Sequence, residues 1–207
     1  MRVGTKPKGP GGRPRKFDET EVVAKMQRQL WTTGLSRPSL DDIARSAGLN
    51  RPSLAAAFGD KDAIYAHAAA QYVAMMDARM KQALDTEDLE AALQAGFDTA
   101  IDIYTAGGPD GCFVLCTAPA ETQTSPACRT ILSQALEAID AAFLSRLERE
   151  RPTKGAADLP VLAAQLGAAL HSVSLRARAG WSADRLRGFA AGSVLQALVT
   201  LGRTSAA

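Results

Sequence analysis

The chain has 207 residues, 46% of them hydrophobic and 22% charged, with aromatics at 5% and a net charge of +2. That length holds one generous domain or two small ones sharing a core, and the composition is that of a globular protein rich in helix-forming residues. The start carries no signal-type apolar run, no stretch approaches the ~20 apolar residues of a membrane helix, and three cysteines form no paired framework; together these predict a reducing cytoplasmic setting.

The net charge hides an asymmetry. Of the 24 basic residues, Arg2, Lys6, Lys8, Arg13, Arg15 and Lys16 fall within residues 1–16, which contain no acid. The other 18 face 22 acidic residues, so a +6 tail precedes a −4 body. Such a tail reads either as a solubilising terminus or as an arm for a polyanion. Its Gly, Pro and basic composition predicts disorder in isolation.

Structure is expected to begin at Phe17. Asp18 with Glu21 makes a capping box, Phe17 and Val22 stand at staple spacing, and Val23, Met26 and Leu30 follow a helical period to a stop at Gly34. Ser39 with Asp42 opens a second helix, whose Leu40, Ile43, Ala44 and Ala47 share one face. Gly48 breaks it. Asn50 then caps a third helix running to Phe58, with Pro52 in its first turn and Leu54 and Phe58 on one side. Three short helices with a tight glycine turn between the last two form a helix-turn-helix unit. Further helices are expected near 60–84, 86–105, 125–149, 159–179 and 183–202, with residues 106–121 irregular. No strand-like alternation persists, so the fold class is all-α.

The segments GRPRKFD and SLDDIARSAGLNRPSLAAAFGDKDAIY closely resemble the N-terminal domain of the TetR-type (tetracycline-repressor-type) regulators, over roughly residues 12–75. The resemblance implies an N-terminal three-helix DNA-binding domain at 17–76, with its helix-turn-helix at 39–58, and a helical effector-binding and dimerisation domain at 77–207. It implies a homodimeric transcription factor, most often a repressor, that leaves a palindromic double-stranded operator when a small molecule binds. No cofactor is expected.

On that reading the helix at 50–58 enters the major groove, presenting Asn50, Arg51, Pro52, Ser53, Ala55 and Ala56. Arg51 is the long donor for a guanine or a phosphate, while Ser39 and Lys61 sit at helix starts where phosphates bind. Ala55 departs from the family pattern, which usually carries tyrosine there. It reads as drift at a tolerant site, or as a sign that affinity comes from elsewhere. The GGRPRK run, resembling an AT-hook core, offers that elsewhere: Arg13, Arg15 and Lys16 suit a narrow A·T-rich minor groove.

Farther along, Met75, Phe97, Ile101, Tyr104, Phe113 and Cys116 are candidates to line an effector pocket suited to a small, largely apolar molecule, with plain core as the alternative role. Leu162, Leu166, Leu170, Val173, Leu186, Phe189, Ala190, Ala197, Leu198 and Leu201 form apolar stripes expected at a four-helix dimer interface, with an intramolecular core as the alternative. Cys112 and Cys116, four apart, read as inert buried thiols or a redox pair. No positive charge near them in sequence lowers a thiol pKa. His67 and His171 lack ligand-spaced partners, and no phosphate loop or nucleophile elbow occurs, so neither a metal site nor an enzyme is expected. Two other functions remain open: a small-molecule-binding or catalytic protein with a decayed DNA-binding head, and an architectural A·T-rich binder acting through the arm.

Overall fold

The structure, a computed structural model, describes residues 17–150 and 158–203. Among these, nine α-helices and one short 3-10 turn make up the fold: α1 (Glu19–Thr33), α2 (Leu40–Ala47), α3 (Arg51–Phe58), α4 (Lys61–Leu84), α5 (Leu89–Tyr104), α6 (Phe113–Thr117), the 3-10 turn (Pro119–Glu121), α7 (Pro126–Glu148), α8 (Leu159–Arg178) and α9 (Ala183–Thr200). The basic arm of residues 1–16 lies outside the described residues.

Helix starts follow side-chain caps. Asp18 accepts from the Thr20 and Glu21 amides, Ser39 from Asp42, Asn50 from Ser53, Asp60 from Ala63 and Asp88 from Ala91. Each cap satisfies a first-turn N–H that no helical carbonyl reaches. The first box is only half made: Glu21 pairs with Lys25 at 2.7 Å, one turn on. The start expected at Thr86 lies at Leu89, because Thr86 turns its hydroxyl back to the Ala83 carbonyl and Asp88 takes the cap. Gly48, at φ 73° and ψ 25°, provides the left-handed turn between α2 and α3, its N–H reaching the Ala44 and Arg45 carbonyls.

The α1–α3 head packs Val22, Val23, Met26, Leu30, Ile43, Leu54 and Phe58 into one core against the first turns of α4. In the body, α5 is the central helix. Leu89, Leu93, Phe97, Ala100, Ile101 and Tyr104 are all buried, with α4, α7, α8 and α9 around them. The segment expected to be irregular contains α6, a correction with a local cause. Its Phe113, Val114 and Leu115 are buried, and the Cys112 N–H donates to the Ser174 hydroxyl at 2.8 Å, tying the helix start to α8. Gly111 (φ 81°) makes that approach possible, since a Cβ there would stand 2.6 Å from the Ser174 carbonyl and 2.7 Å from the Cys116 sulfur.

Candidate nucleic-acid interface and inner cavity

In α3, Leu54 and Phe58 are buried and fasten the helix, while Arg51, Pro52, Ser53, Ala55 and Ala56 are exposed. Phe17 adds a ring contact to Phe58 at 6.2 Å. Arg51 is not free: its guanidinium pairs with Asp41 of α2 at 3.3 Å. Both partners are more than half exposed, so the pair contributes little to stability and opens at small cost. Both Ser39 donors are also engaged, the amide with the Asp42 carboxylate at 3.0 Å and the hydroxyl at 2.7 Å. Those two bonds, with Arg45 beside them, hold the Asp42 carboxyl below its ordinary pKa. Lys61 reaches the Ser36 carbonyl at 3.2 Å. A phosphate at this edge competes for Ser39 with an acid and for Lys61 with a carbonyl. Arg13, Arg15 and Lys16 lie outside the described residues.

The head is joined to the body at three points. Glu121, on the 3-10 turn and 7% exposed, accepts from both the amide and the hydroxyl of Ser36 in the α1–α2 loop. Arg178, near the end of α8, donates to the Trp31 carbonyl and to that of Asp110. Tyr65 of α4 and Thr117 of α6 share a buried hydrogen bond of 2.8 Å. Between these points the Trp31 ring meets Tyr72 and Phe113 edge-on. The α6 segment therefore touches the head on one side and the interior of the body on the other.

That interior contains a cavity of about 60 Å³ bounded by α4, α5, α6, α7 and α8. Most of its wall is apolar, including Met76, Ile139 and Leu170, with Asp77 at the edge and Tyr72, Tyr104 and Cys112 as inner polar groups. Of the six residues expected to line a pocket, only Tyr104 does so. Phe97 stacks on Phe143 at 5.7 Å, and Phe113 packs among Trp31, Tyr65 and Tyr72. Ile101 is plain core, Met75 is half-buried outside the wall, and Cys116 faces Ser174 at 3.7 Å. The reason is rotational: α4 turns Tyr72, Val73, Met76 and Met80 toward the cavity, while the buried side of α5 is shared among α4, α7, α8 and α9, so its period alone does not mark which residue faces the cavity.

No family model matches the chain. In sequence it is similar to the HTH-type transcriptional repressor ComR of Escherichia coli K12, 26% identical over 184 residues, covering 84% of this chain and 86% of that one. Its structure is similar to that of the TetR-family regulator CifR in a cysteine-mutant form complexed with 26-bp operator DNA. There the TM-score is 0.81 at 24% identity, over 88% of this chain and 98% of that one. It is likewise similar to SCO4454, a TetR-family regulator of Streptomyces coelicolor, with a TM-score of 0.76 at 15% identity over 89% and 95% of the two chains. This is the TetR-family fold.

Within the TetR-family fold of this chain, the stripes expected to pair two copies are largely buried in the single chain. Leu162, Leu166, Leu170, Val173, Leu186, Ala190, Ala197 and Leu198 are each at most 3% exposed in the single chain. They pack α8 and α9 onto the body, and only Phe189 and Leu201 remain half-buried. Leu162, Leu166, Phe189 and Ala197 also line a groove between α8 and α9 with Gly188 and Gly192 on its wall, and elsewhere on the same helices Val161, Leu175, Leu195 and Val199 are about half exposed. On the same helices, Arg176 lies over Trp181 and Phe189, and Arg185 also lies over Trp181 at 3.5 Å.

The cysteines are free thiols. The Cys116 amide bonds the Cys112 carbonyl at 3.0 Å, which makes the pair one helical turn. Burial pushes both thiols above their ordinary pKa; for Cys116 the Ser174 hydrogen bond and the nearby Arg178 charge oppose it without prevailing. Arg178 is a positive neighbour that the sequence did not place there. Among the described residues no group of three metal-type ligands occurs, and no described helix is long and apolar enough to cross a membrane.

Proposed function

We infer that the protein is a DNA-binding transcriptional regulator, working as a homodimeric repressor that releases a palindromic operator when a small, largely apolar effector binds. The observation that carries this reading is α3, a capped helix fastened by two buried side chains with its remaining face exposed beside Arg51. That arrangement supports major-groove entry, with α2 crossing the phosphates. The operator complex of CifR, a protein of similar fold, and the repressor role of ComR, a sequence relative, support the same direction.

For the homodimer, the exposed Val161, Leu175, Leu195 and Val199 with the glycine-lined groove support pairing through the outer face of α8 and α9, since small residues let helices approach closely. For the effector, the cavity supports binding beside α6, which leads into the 3-10 turn that bears the Glu121–Ser36 contact with the head. We assign Arg13, Arg15 and Lys16 to a minor-groove arm, and the protein to the cytoplasm. The division at residue 76 falls inside α4, a continuous helix that supports transmission between the two parts.

A gel shift with the DNA upstream of the protein's own gene tests the regulator reading. Specific retardation at low salt is expected, and its absence ends the reading. Deleting residues 1–16 is expected to weaken binding and to reduce the salt slope, each neutralised phosphate contributing about 0.9 in log–log terms. An unchanged slope removes the arm from the interface. Ala55→Tyr is expected to tighten binding about fivefold, corresponding to about 1 kcal/mol for one restored hydrogen bond.

A further inference from the structure

The two phenols inside the cavity are out of place in an otherwise apolar wall. Tyr72 is 2% exposed and Tyr104 is fully buried, and neither hydroxyl oxygen has a hydrogen-bond partner. Both face the Cys112 thiol, a soft sulfur that is a weak acceptor, and Tyr72 also faces the Phe113 backbone, none of them in ordinary hydrogen-bond geometry. Buried hydroxyls nearly always find a partner, because an unmade bond in an apolar medium is costly. Phenylalanine fills the same volume without that cost, so two tyrosines at one small cavity signal a use for the hydroxyls.

The chemistry of that use is narrow. A phenol in an apolar pocket stays protonated, and burial raises both of these above their ordinary pKa, so each presents an O–H donor at any physiological pH. The matching ligand therefore supplies an acceptor. It is not an anion, since no lysine, arginine or histidine lines the cavity. It is not a cation either: the one acid on the wall, Asp77, sits at the exposed edge and pairs with Lys81 at 2.8 Å. Met76, Leu170 and their neighbours leave an apolar surface for the rest of the molecule.

We propose that the cavity takes a small uncharged molecule with an apolar body and one hydrogen-bond-accepting oxygen, a ketone, aldehyde or cyclic ether in type, held by the Tyr72 and Tyr104 hydroxyls. This rests on the effector reading above and specifies the chemistry of that effector. The accepting oxygen lies between α4 and α5 at the start of α6, next to Cys112.

The test uses the full chain and four matched probes in titration calorimetry: cyclopentanone, cyclopentane, cyclopentylamine and cyclopentanecarboxylate. Cyclopentanone is expected to bind at least tenfold tighter than the other three. Tyr72→Phe and Tyr104→Phe are each expected to weaken cyclopentanone about five- to tenfold, the value of one hydrogen bond, and to leave cyclopentane unchanged. Neither variant is expected to lower the unfolding midpoint. No binding of cyclopentanone, equal binding of cyclopentane, preference for either ion, or indifference to both substitutions overturns the proposal. An operator gel shift separates this from the effector reading. Phenol-dependent binding that leaves the DNA complex intact retains the proposal and ends the release mechanism. Release at an unchanged cyclopentanone concentration in both phenylalanine variants retains the mechanism and ends the proposal.

Discussion

In the head, Ser39, Asn50 and Asp60 each turn a side-chain oxygen onto an open amide within three residues, and Arg45, Arg51 and Lys61 each have a polar partner. In the body, Tyr72, Tyr104, Asp140 and His171 keep buried polar atoms with no partner, and the Trp31 ring nitrogen does so where the two parts meet. The difference separates two kinds of polarity. Head polarity is largely local and completes the helices that carry it. Body polarity joins distant helices, as Arg146 does with the Thr86 and Glu87 carbonyls, and part of it is left without a partner; of that part, Tyr72 and Tyr104 line the cavity.

The sharpest way to break this contrast is at the tight body contacts. Gly111→Ala is expected to lower stability by about 3 kcal/mol in urea unfolding, combining a left-handed backbone with a clash against Ser174. A loss under about 1 kcal/mol means that the α6 entry adapts. Arg146 is next. It is 2% exposed, donates to the Thr86 and Glu87 carbonyls, and pairs with Glu150, so Arg146→Ala is expected to cost about 2–3 kcal/mol.

The same pair gives a pH signature. Burial pushes the Glu150 carboxyl up, but hydrogen bonding from Arg146 and the charge of Arg203 outweigh it and hold the group below its usual range. A carboxyl lowered on folding stabilises the protein above its unfolded pKa, near 4.3, and loses that contribution as pH falls through the folded value. Glu150→Gln is therefore expected to flatten the acid side of the stability profile, and an unchanged slope below pH 5 denies the pair that role.

In the head, Asn50→Ala is expected to cost about 1 kcal/mol and to weaken operator binding, as read by unfolding and gel shift together. Asp41→Asn is the mildest. It releases Arg51 from a surface pair, changes stability by less than about 0.5 kcal/mol, and is expected to tighten DNA binding severalfold. Weaker binding means that Asp41 positions Arg51 for the DNA.

The head was legible because its signals are local. Cap, apolar period and turn glycine lie within a few residues of one another, and α3 ran from Arg51 to Phe58 as expected. The interior was less so. Phe97 and Ile101 follow the same helical spacing as Tyr104, yet only Tyr104 reaches the cavity, because the buried side of α5 is shared among four other helices. In α8 and α9, alanine and glycine separate two apolar stripes, and the richer one faces inward, leaving Val161, Leu175, Leu195 and Val199 outside. The burial of Arg146 and the nearness of Arg178 to Cys116 had no sequence signal, since their partners lie on other helices.

By itself the sequence determined the all-helical class, the three-helix head and which face of α3 is anchored, since caps and periodicity act over a single turn. The tertiary structure alone decided where the cavity lies, which phenols face it, which stripe of α8 and α9 is outside, and that Glu121 joins the body to Ser36 across 85 residues of chain. Those features depend on how helices rotate against one another. Rotation is set by the packing of all the helices at once, which no local window of residues records.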